Sequence, residues 1–226
     1  MSTKVSLLEQ LVEENFDNFY QDCALMSAIV TGHNDEPKTF QEAWYYNDQE
    51  KRQKWRTVIW KEFRDMIKRG VWVNVKRSSV PERRKLIGSK WVFKEKRDGR
   101  FRARLVCLGY SQIPGVDFSD NYAPVGNDMT FQVVMVLRLM FGFHAVLLDV
   151  ETAFLYGKLE EEIYMEIPSG YKEVYQEAEK GTFLKLQMAM YGLVQAAHEW
   201  FKRLSDILIS LGFKPCESDP CLMYRV

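Results

Sequence analysis

The sequence predicts an α+β fold, and three observations carry that expectation. Two long stretches, Glu50–Arg69 and Leu193–Leu211, place apolar residues at spacings of three and four, as amphipathic helices do. Between them, Trp91–Lys96 and Phe101–Val106 alternate apolar and polar residues around Asp98-Gly99, a pairing of strands and turn that marks a β-hairpin. A short apolar run, Ala145–Leu148, then leads straight into Asp149 and reads as a buried strand ending in a carboxylate, although periodicity alone does not separate it from a helix.

The elements follow in chain order. Residues Val5 to about Val30 have helical spacing, and Thr31–Pro37 then breaks the pattern like a linker. Thr39–Tyr46 and Glu50–Arg69 read as two helices. Trp55, Ile59, Phe63, Met66 and Ile67 form the apolar stripe of the second, and Gly70 is its stop. Val71–Val75 is a strand, and the hairpin follows a basic loop containing Pro81. Met129–Phe141 is strongly apolar and reads as a buried helix. Glu162–Ile167 alternates and reads as a half-buried strand, and Thr182–Gln187 is another short strand. Gly212 closes the helix that begins near Leu193. Cys221–Val226 reads as a last strand with no turn or partner after it, which suggests an interrupted fold.

A chain of 226 residues, 46% hydrophobic and 27% charged, suffices for a sizeable core in one or two domains and is not composed like a disordered segment. The formal net charge is zero, but the charge is unevenly placed. Basic residues crowd Lys76–Arg104, whereas Asp149–Glu179 is acidic, with a run at Glu160-Glu161-Glu162. A basic segment suits phosphate contacts, and a solvated hairpin is the commoner reading of a lone charge run. On the second hairpin strand Arg102 and Arg104 share a face, because alternate residues do. Two guanidiniums so placed could grip a triphosphate or a nucleic-acid backbone, although an exposed strand face is the plainer reading of the segment alone. The cysteines Cys23, Cys107, Cys216 and Cys221 form no Cys-x-x-Cys pair and lie far from the histidines, which argues against structural zinc. Free thiols in a reducing compartment are the expectation. The apolar region Phe131–Val150 is interrupted by Gln132, Arg138, His144 and Asp149, so it does not read as a membrane span.

Asp149 is the residue on which the chemistry turns. An ionised carboxylate is costly to bury without a partner. No Lys or Arg occurs in the eight residues that follow it. A metal ion, a cationic ligand or a partner distant in sequence could satisfy it, and capping of a following helix is the plainer alternative. A carboxylate at a strand tip, holding a hard cation, is what metal-dependent phosphoryl transfer uses.

Several short motifs occur in one order: Lys90-Trp91-Val92-Phe93-Lys94, Asp98-Gly99, Ala103-Arg104-Leu105-Val106, Ala123-Pro124-Val125, Asp149–Leu155, Glu161–Met165 and Tyr191-Gly192-Leu193. In this order the chain resembles the reverse transcriptase domain of copia-type long-terminal-repeat retrotransposons, over roughly Pro37–Val226. The resemblance implies a right-hand polymerase fold with an incomplete palm sheet. It divides the chain into an N-terminal helix and linker (1–36), fingers with N-terminal helices (37–128) and a partial palm (129–226). It implies two Mg²⁺ ions about 3.5–4 Å apart, with Asp149 as first metal-binding carboxylate and catalytic residue and the Val150 carbonyl as a second ligand. Phe154 would exclude a ribose 2′-hydroxyl, Arg104 would contact the incoming triphosphate, and Tyr191 and Gly192 would line the nucleotide side. Lys94, Lys96 and Arg102 would meet nucleic acid. The implied partners are a template-primer, deoxynucleotides and the rest of a polyprotein with integrase and ribonuclease H, with no membrane. The implied location is a cytoplasmic particle.

The sequence also departs from the family pattern. Glu151, Val194 and Leu108 stand where the family has lysines, Tyr156-Gly157 replaces Asn-Gly, and Ala196-Ala197 replaces Ser-Pro. The family's two further catalytic aspartates, in an aromatic-x-Asp-Asp hairpin, would follow Val226. The resemblance therefore implies an RNA-directed DNA polymerase fragment that is inactive alone. The competing expectations are a non-catalytic nucleic-acid-binding remnant and an unstable product with an open sheet edge.

Overall fold

The computed structural model describes residues 36–175 and 181–225, and those from Pro37 onward form one compact unit. The helix expected over Val5–Val30 lies outside the described residues. The fold mixes α and β elements.

Helix α1 (Phe40–Trp44) starts at Thr39, whose side chain accepts the Glu42 N–H. Helix α2 (Gln49–Lys68) starts at Asp48, whose carboxylate accepts the Lys51 N–H. The helix stops where expected. Gly70 has φ +62, a left-handed conformation that costs glycine nothing. There its N–H reaches the Ile67 carbonyl, and the Val71 N–H reaches the Met66 carbonyl.

The hairpin also forms as expected, with β3 (Ser89–Glu95) antiparallel to β4 (Phe101–Cys107) and Trp91 opposite Leu105. Its inner face, Trp91, Phe93, Ala103 and Leu105, is buried against the α2 stripe Trp55, Ile59, Phe63 and Met66. Trp55 meets the rings of Phe93 and Phe101 edge-on at 5.4 and 4.4 Å, and Phe63 meets Trp91 at 5.1 Å. Aromatic packing of this kind dominates the core, and truncating Phe63 to alanine would cost about 3–5 kcal/mol.

A second sheet has the order β1-β6-β5-β2. Strand β1 (Trp72–Lys76) runs antiparallel to β6 (Thr182–Leu186), and β6 runs antiparallel to β5 (Tyr164–Met165). Strand β2 (Leu86–Ile87) lies parallel to β5. The sheet thus joins strands from both sides of residue 128. Because β5 has neighbours on both edges, Ile163, Tyr164 and Met165 are all buried. The half-buried strand expected over Glu162–Ile167 is therefore corrected to a short, fully enclosed one.

Three further expectations need correction. Helix α3 (Asp128–Phe141) forms, but no residue of it is buried, because among the described residues only the turn at Asp219–Leu222 lies against it, beside Thr130, Phe131 and Val134. The run Ala145–Leu148 is not a strand. No described strand pairs with it, and Leu147 is 98% exposed. Finally, the strand expected over Cys221–Val226 is not alone. Its observed part, β8 (Met223–Tyr224), pairs antiparallel with β7 (Lys214–Pro215). In chain order, α4 (Tyr171–Val174) lies between β5 and β6, and α5 (Ala196–Ser210) lies between β6 and β7. Only Ala196 and Glu199 of α5 are buried.

Candidate active site

Four of the residues singled out from the sequence come together between the hairpin and the loop after Met190. Strand β4 alternates buried and outward residues, so Arg102 and Arg104 do share the outer face. The Arg104 guanidinium lies 4.7 Å from the centre of the Tyr191 ring. On its other contact, Tyr191 meets Phe154 edge-on at 5.2 Å. One aromatic ring thus bridges the hairpin to the short turn of 3₁₀ helix at Ala153–Tyr156. A guanidinium resting on a ring face is held without losing its in-plane N–H donors, which stay available to an anion.

Gly192 completes the cluster through backbone contact. Its φ is +88, and a Cβ there would lie 2.2 Å from the Cys107 carbonyl oxygen. The Cys107 N–H donates to the Tyr191 carbonyl at 2.8 Å, so β4 and the Tyr191-Gly192 turn are joined backbone to backbone. Gly109 faces the same turn, and a Cβ there would meet the Gly192 carbonyl oxygen at 2.0 Å. Glycine at these two positions is required by the approach of the two chains.

A buried polar network behind the turn was not foreseen from the sequence. The Gln112 side chain donates to Gln195 Oε1 at 3.0 Å and accepts the Val194 N–H at 2.9 Å. Gln195 donates to the Asp117 carbonyl at 2.9 Å, and an Asp117 carboxylate oxygen accepts the Ile113 N–H at 2.8 Å. All three side chains are buried, so their hydrogen bonds fix the loop that carries Tyr191. The available signal was Gln195, a lone amide among apolar Leu193 and Ala196 at a helix start.

Helix α2 reaches the same region from behind. Glu62 is buried and accepts the Leu105 N–H at 3.3 Å, one residue from Arg104. Burial pushes its carboxyl up to about 7, against the lowering effects of that hydrogen bond and of Arg104 and Arg102. Further along α2, Lys61 donates to Glu151 at 2.6 Å. That bond holds the Glu151 carboxyl below its ordinary range and the Lys61 ammonium above its own. Arg69 reaches Tyr156 in the same way, by a 3.1 Å hydrogen bond to the hydroxyl and by stacking at 4.8 Å.

The metal ligands expected at Asp149 and Val150 do not form a centre here. Both residues are exposed, and Asp149 has no hydrogen-bond or ion-pair partner among the described residues. The expectation of a buried carboxylate needing a partner is corrected accordingly, because solvent satisfies it. No described group of three His, Cys, Asp or Glu residues could hold a metal ion. The nearest acidic residue in sequence, Glu151, is committed to Lys61. A near-octahedral Mg²⁺ site shared between two ions needs more oxygens than one carboxylate offers. The described residues do not fit such a site by themselves. Just after Asp149, Thr152 has φ +55, the single described non-glycine residue with a positive φ. A threonine in that region is strained.

The remaining candidates line the hairpin. Lys94 lies opposite Arg102 in the ladder, on the outer face. Lys96 lies at the start of the turn, where its N–H meets the Arg100 carbonyl at 2.8 Å. No described helix is long and apolar enough to cross a membrane.

Comparison with known proteins points one way. Residues 70–226 match the family described as reverse transcriptase (RNA-dependent DNA polymerase). The chain is 31% identical over 202 residues to a retrovirus-related Pol polyprotein from transposon TNT 1-94 of Nicotiana tabacum, covering 87% of the chain and 14% of that relative. It is 30% identical over 200 residues to the corresponding polyprotein from transposon RE1 of Arabidopsis thaliana, covering 86% of the chain and 13% of the relative. For transposon RE2 of Arabidopsis thaliana the figures are 31% over 194 residues, 84% and 13%. The chain thus spans about one seventh of the length of these relatives. No solved structure matches the chain.

Proposed function

The chain belongs to the reverse transcriptase (RNA-dependent DNA polymerase) family, and from that membership we propose that it holds the incoming deoxynucleotide in a retrotransposon polymerase but does not polymerise alone. The observation that carries this reading is the Arg104–Tyr191–Phe154 cluster. A cation held against a ring suits a triphosphate, and a bulky ring beside it suits exclusion of a 2′-hydroxyl. In this reading β3–β4 belongs to the fingers and the β1-β6-β5-β2 sheet to the base of the palm. Reverse transcriptases generally use Mg²⁺, which supplies charge neutralisation at the transferring phosphate. In this reading Asp149 would contribute a carboxylate ligand and Val150 a carbonyl, a set too small for two ions. The partners are then a template-primer and the rest of that polyprotein.

The test has two parts. Titration with a deoxynucleoside triphosphate, followed by calorimetry, is expected to show binding that Arg104→Gln weakens at least tenfold, since a hydrogen bond to a charged group contributes about 1.5–3 kcal/mol. Phe154→Ala is expected to narrow the preference for deoxy- over ribonucleotides. Template-directed incorporation by the purified chain is expected to be absent, and incorporation abolished by Asp149→Asn would overturn the claim of inactivity. A second reading, a nucleic-acid-binding remnant, is favoured by the outward Lys94, Arg102 and Arg104 of the hairpin. It predicts steeply salt-dependent binding with no nucleotide specificity.

A further inference from the structure

On the side of α2 opposite the core stripe lies a surface that the polymerase reading leaves unused. Gln53, Arg56, Thr57, Trp60, Lys61 and Arg64 recur at spacings of three and four and so form one stripe. With Trp44 they line a groove of about 450 Å³ that contains no carboxylate. The stripe is about 16 Å long at 1.5 Å rise per residue. It lies before residue 70, outside the matched family region.

The groove is built, not merely basic. The Arg56 guanidinium lies 4.9 Å from the Trp44 ring centre, and its Nε donates to the Trp44 carbonyl at 2.9 Å. That fixes Arg56 while leaving its terminal nitrogens free to donate. The Trp44 ring is itself stacked on Phe40 at 5.2 Å, so it supports Arg56 and is not a stacking surface. Trp60 is different. It is a large indole 44% exposed, meeting Tyr175 only distantly at 6.5 Å. No described carboxylate pairs with Arg56 or Arg64. Lys61 is the exception, held by Glu151.

We infer that this groove binds single-stranded nucleic acid, with an unpaired base on Trp60 and phosphates on Arg56 and Arg64. Guanidiniums spaced along a helix track a polyanion, and an exposed indole among them selects a ligand with flat faces between its charges. A duplex hides those base faces, and an acidic peptide has none. The groove thus gives the chain a strand-holding surface separate from the Arg104 cluster. The inference does not rest on the polymerase reading.

The test is fluorescence anisotropy of the whole chain with a short labelled oligothymidylate, in the absence of Mg²⁺ and deoxynucleotides. Binding is expected to weaken about five- to a hundredfold in Trp60→Ala, the range for one lost stacked base, and to recover in Trp60→Phe. Arg56→Gln and Arg64→Gln are each expected to flatten the slope of log affinity against log salt by about 0.7. An abasic strand of equal length should bind the native chain no better than oligothymidylate binds Trp60→Ala. Equal binding of abasic and thymidylate strands would overturn the inference, as would indifference to Trp60→Ala or preferential capture of polyglutamate by the groove. Circular dichroism checks that each variant keeps its helix. With no nucleotide present, failure here leaves the proposed deoxynucleotide binding at Arg104 standing, and the reverse also holds.

Discussion

Replacing Glu62 by glutamine is expected to stabilise the protein above neutral pH. In the folded chain the Glu62 carboxyl is raised from 4.5 to about 7, chiefly because burial disfavours its charge. The folded state therefore binds more protons than the unfolded state between those values. Stability linked to Glu62 is fully present below about pH 4.5 and is lost as pH rises through about 7. At 1.36 kcal/mol per unit of pKa, the loss amounts to about 3 kcal/mol at pH 8. Glutamine keeps an oxygen that accepts the Leu105 N–H, so the comparison isolates the charge. The assay is urea unfolding followed by tryptophan fluorescence, run on native and variant chains from pH 5 to 8. The difference in stability is expected to grow by about 2–3 kcal/mol in favour of Glu62→Gln across that range. A flat difference, or a variant less stable than native at pH 8, would refute the reasoning. Comparing the two chains cancels the exposed carboxylates, such as Glu160 and Glu162, which their lysine partners hold low.

Three other outcomes are expected. Asp149→Asn should change stability by less than about 0.5 kcal/mol in thermal unfolding, because the side chain is exposed and touches no described partner. Gly192→Ala should cost about 2 kcal/mol or more by urea unfolding, since its φ of +88 and the Cys107 carbonyl at 2.2 Å both oppose a Cβ. Cys107 is buried and its thiol is pushed up to about 12, so in a Cys23→Ser chain Ellman's reagent at pH 8 should titrate Cys216 and Cys221 promptly. Cys107 should follow only on unfolding.

The local features of the fold were legible because each carries its own periodicity or turn residue. The α2 stripe, its stop at Gly70 and the Asp98-Gly99 hairpin need no knowledge of the remaining chain. The shared face of Arg102 and Arg104 follows from alternation alone. The Tyr191 ring reaching both Arg104 and Phe154 has no such signal, since it depends on how distant segments pack. Strand β2 was invisible because two residues, Leu86 and Ile87, are too few for a pattern. The run Ala145–Leu148 misled for a different reason. Apolar composition states what a segment would gain by burial, and burial also needs a partner surface. Among the described residues, that run has none, and α3 has only the turn at Asp219–Leu222 beside Thr130, Phe131 and Val134.

Strand β4 has one margin turned away from β3, and two of its amides there are already taken. The Leu105 N–H is held by the Glu62 carboxylate and the Cys107 N–H by the Tyr191 carbonyl. A bare strand margin invites a further strand from another molecule, and a buried acidic side chain beside it is one of the ways proteins discourage this. The hairpin that presents the arginines is thus sealed along that side against self-association. Its outer face, with Lys94 and Arg102, is left open to solvent.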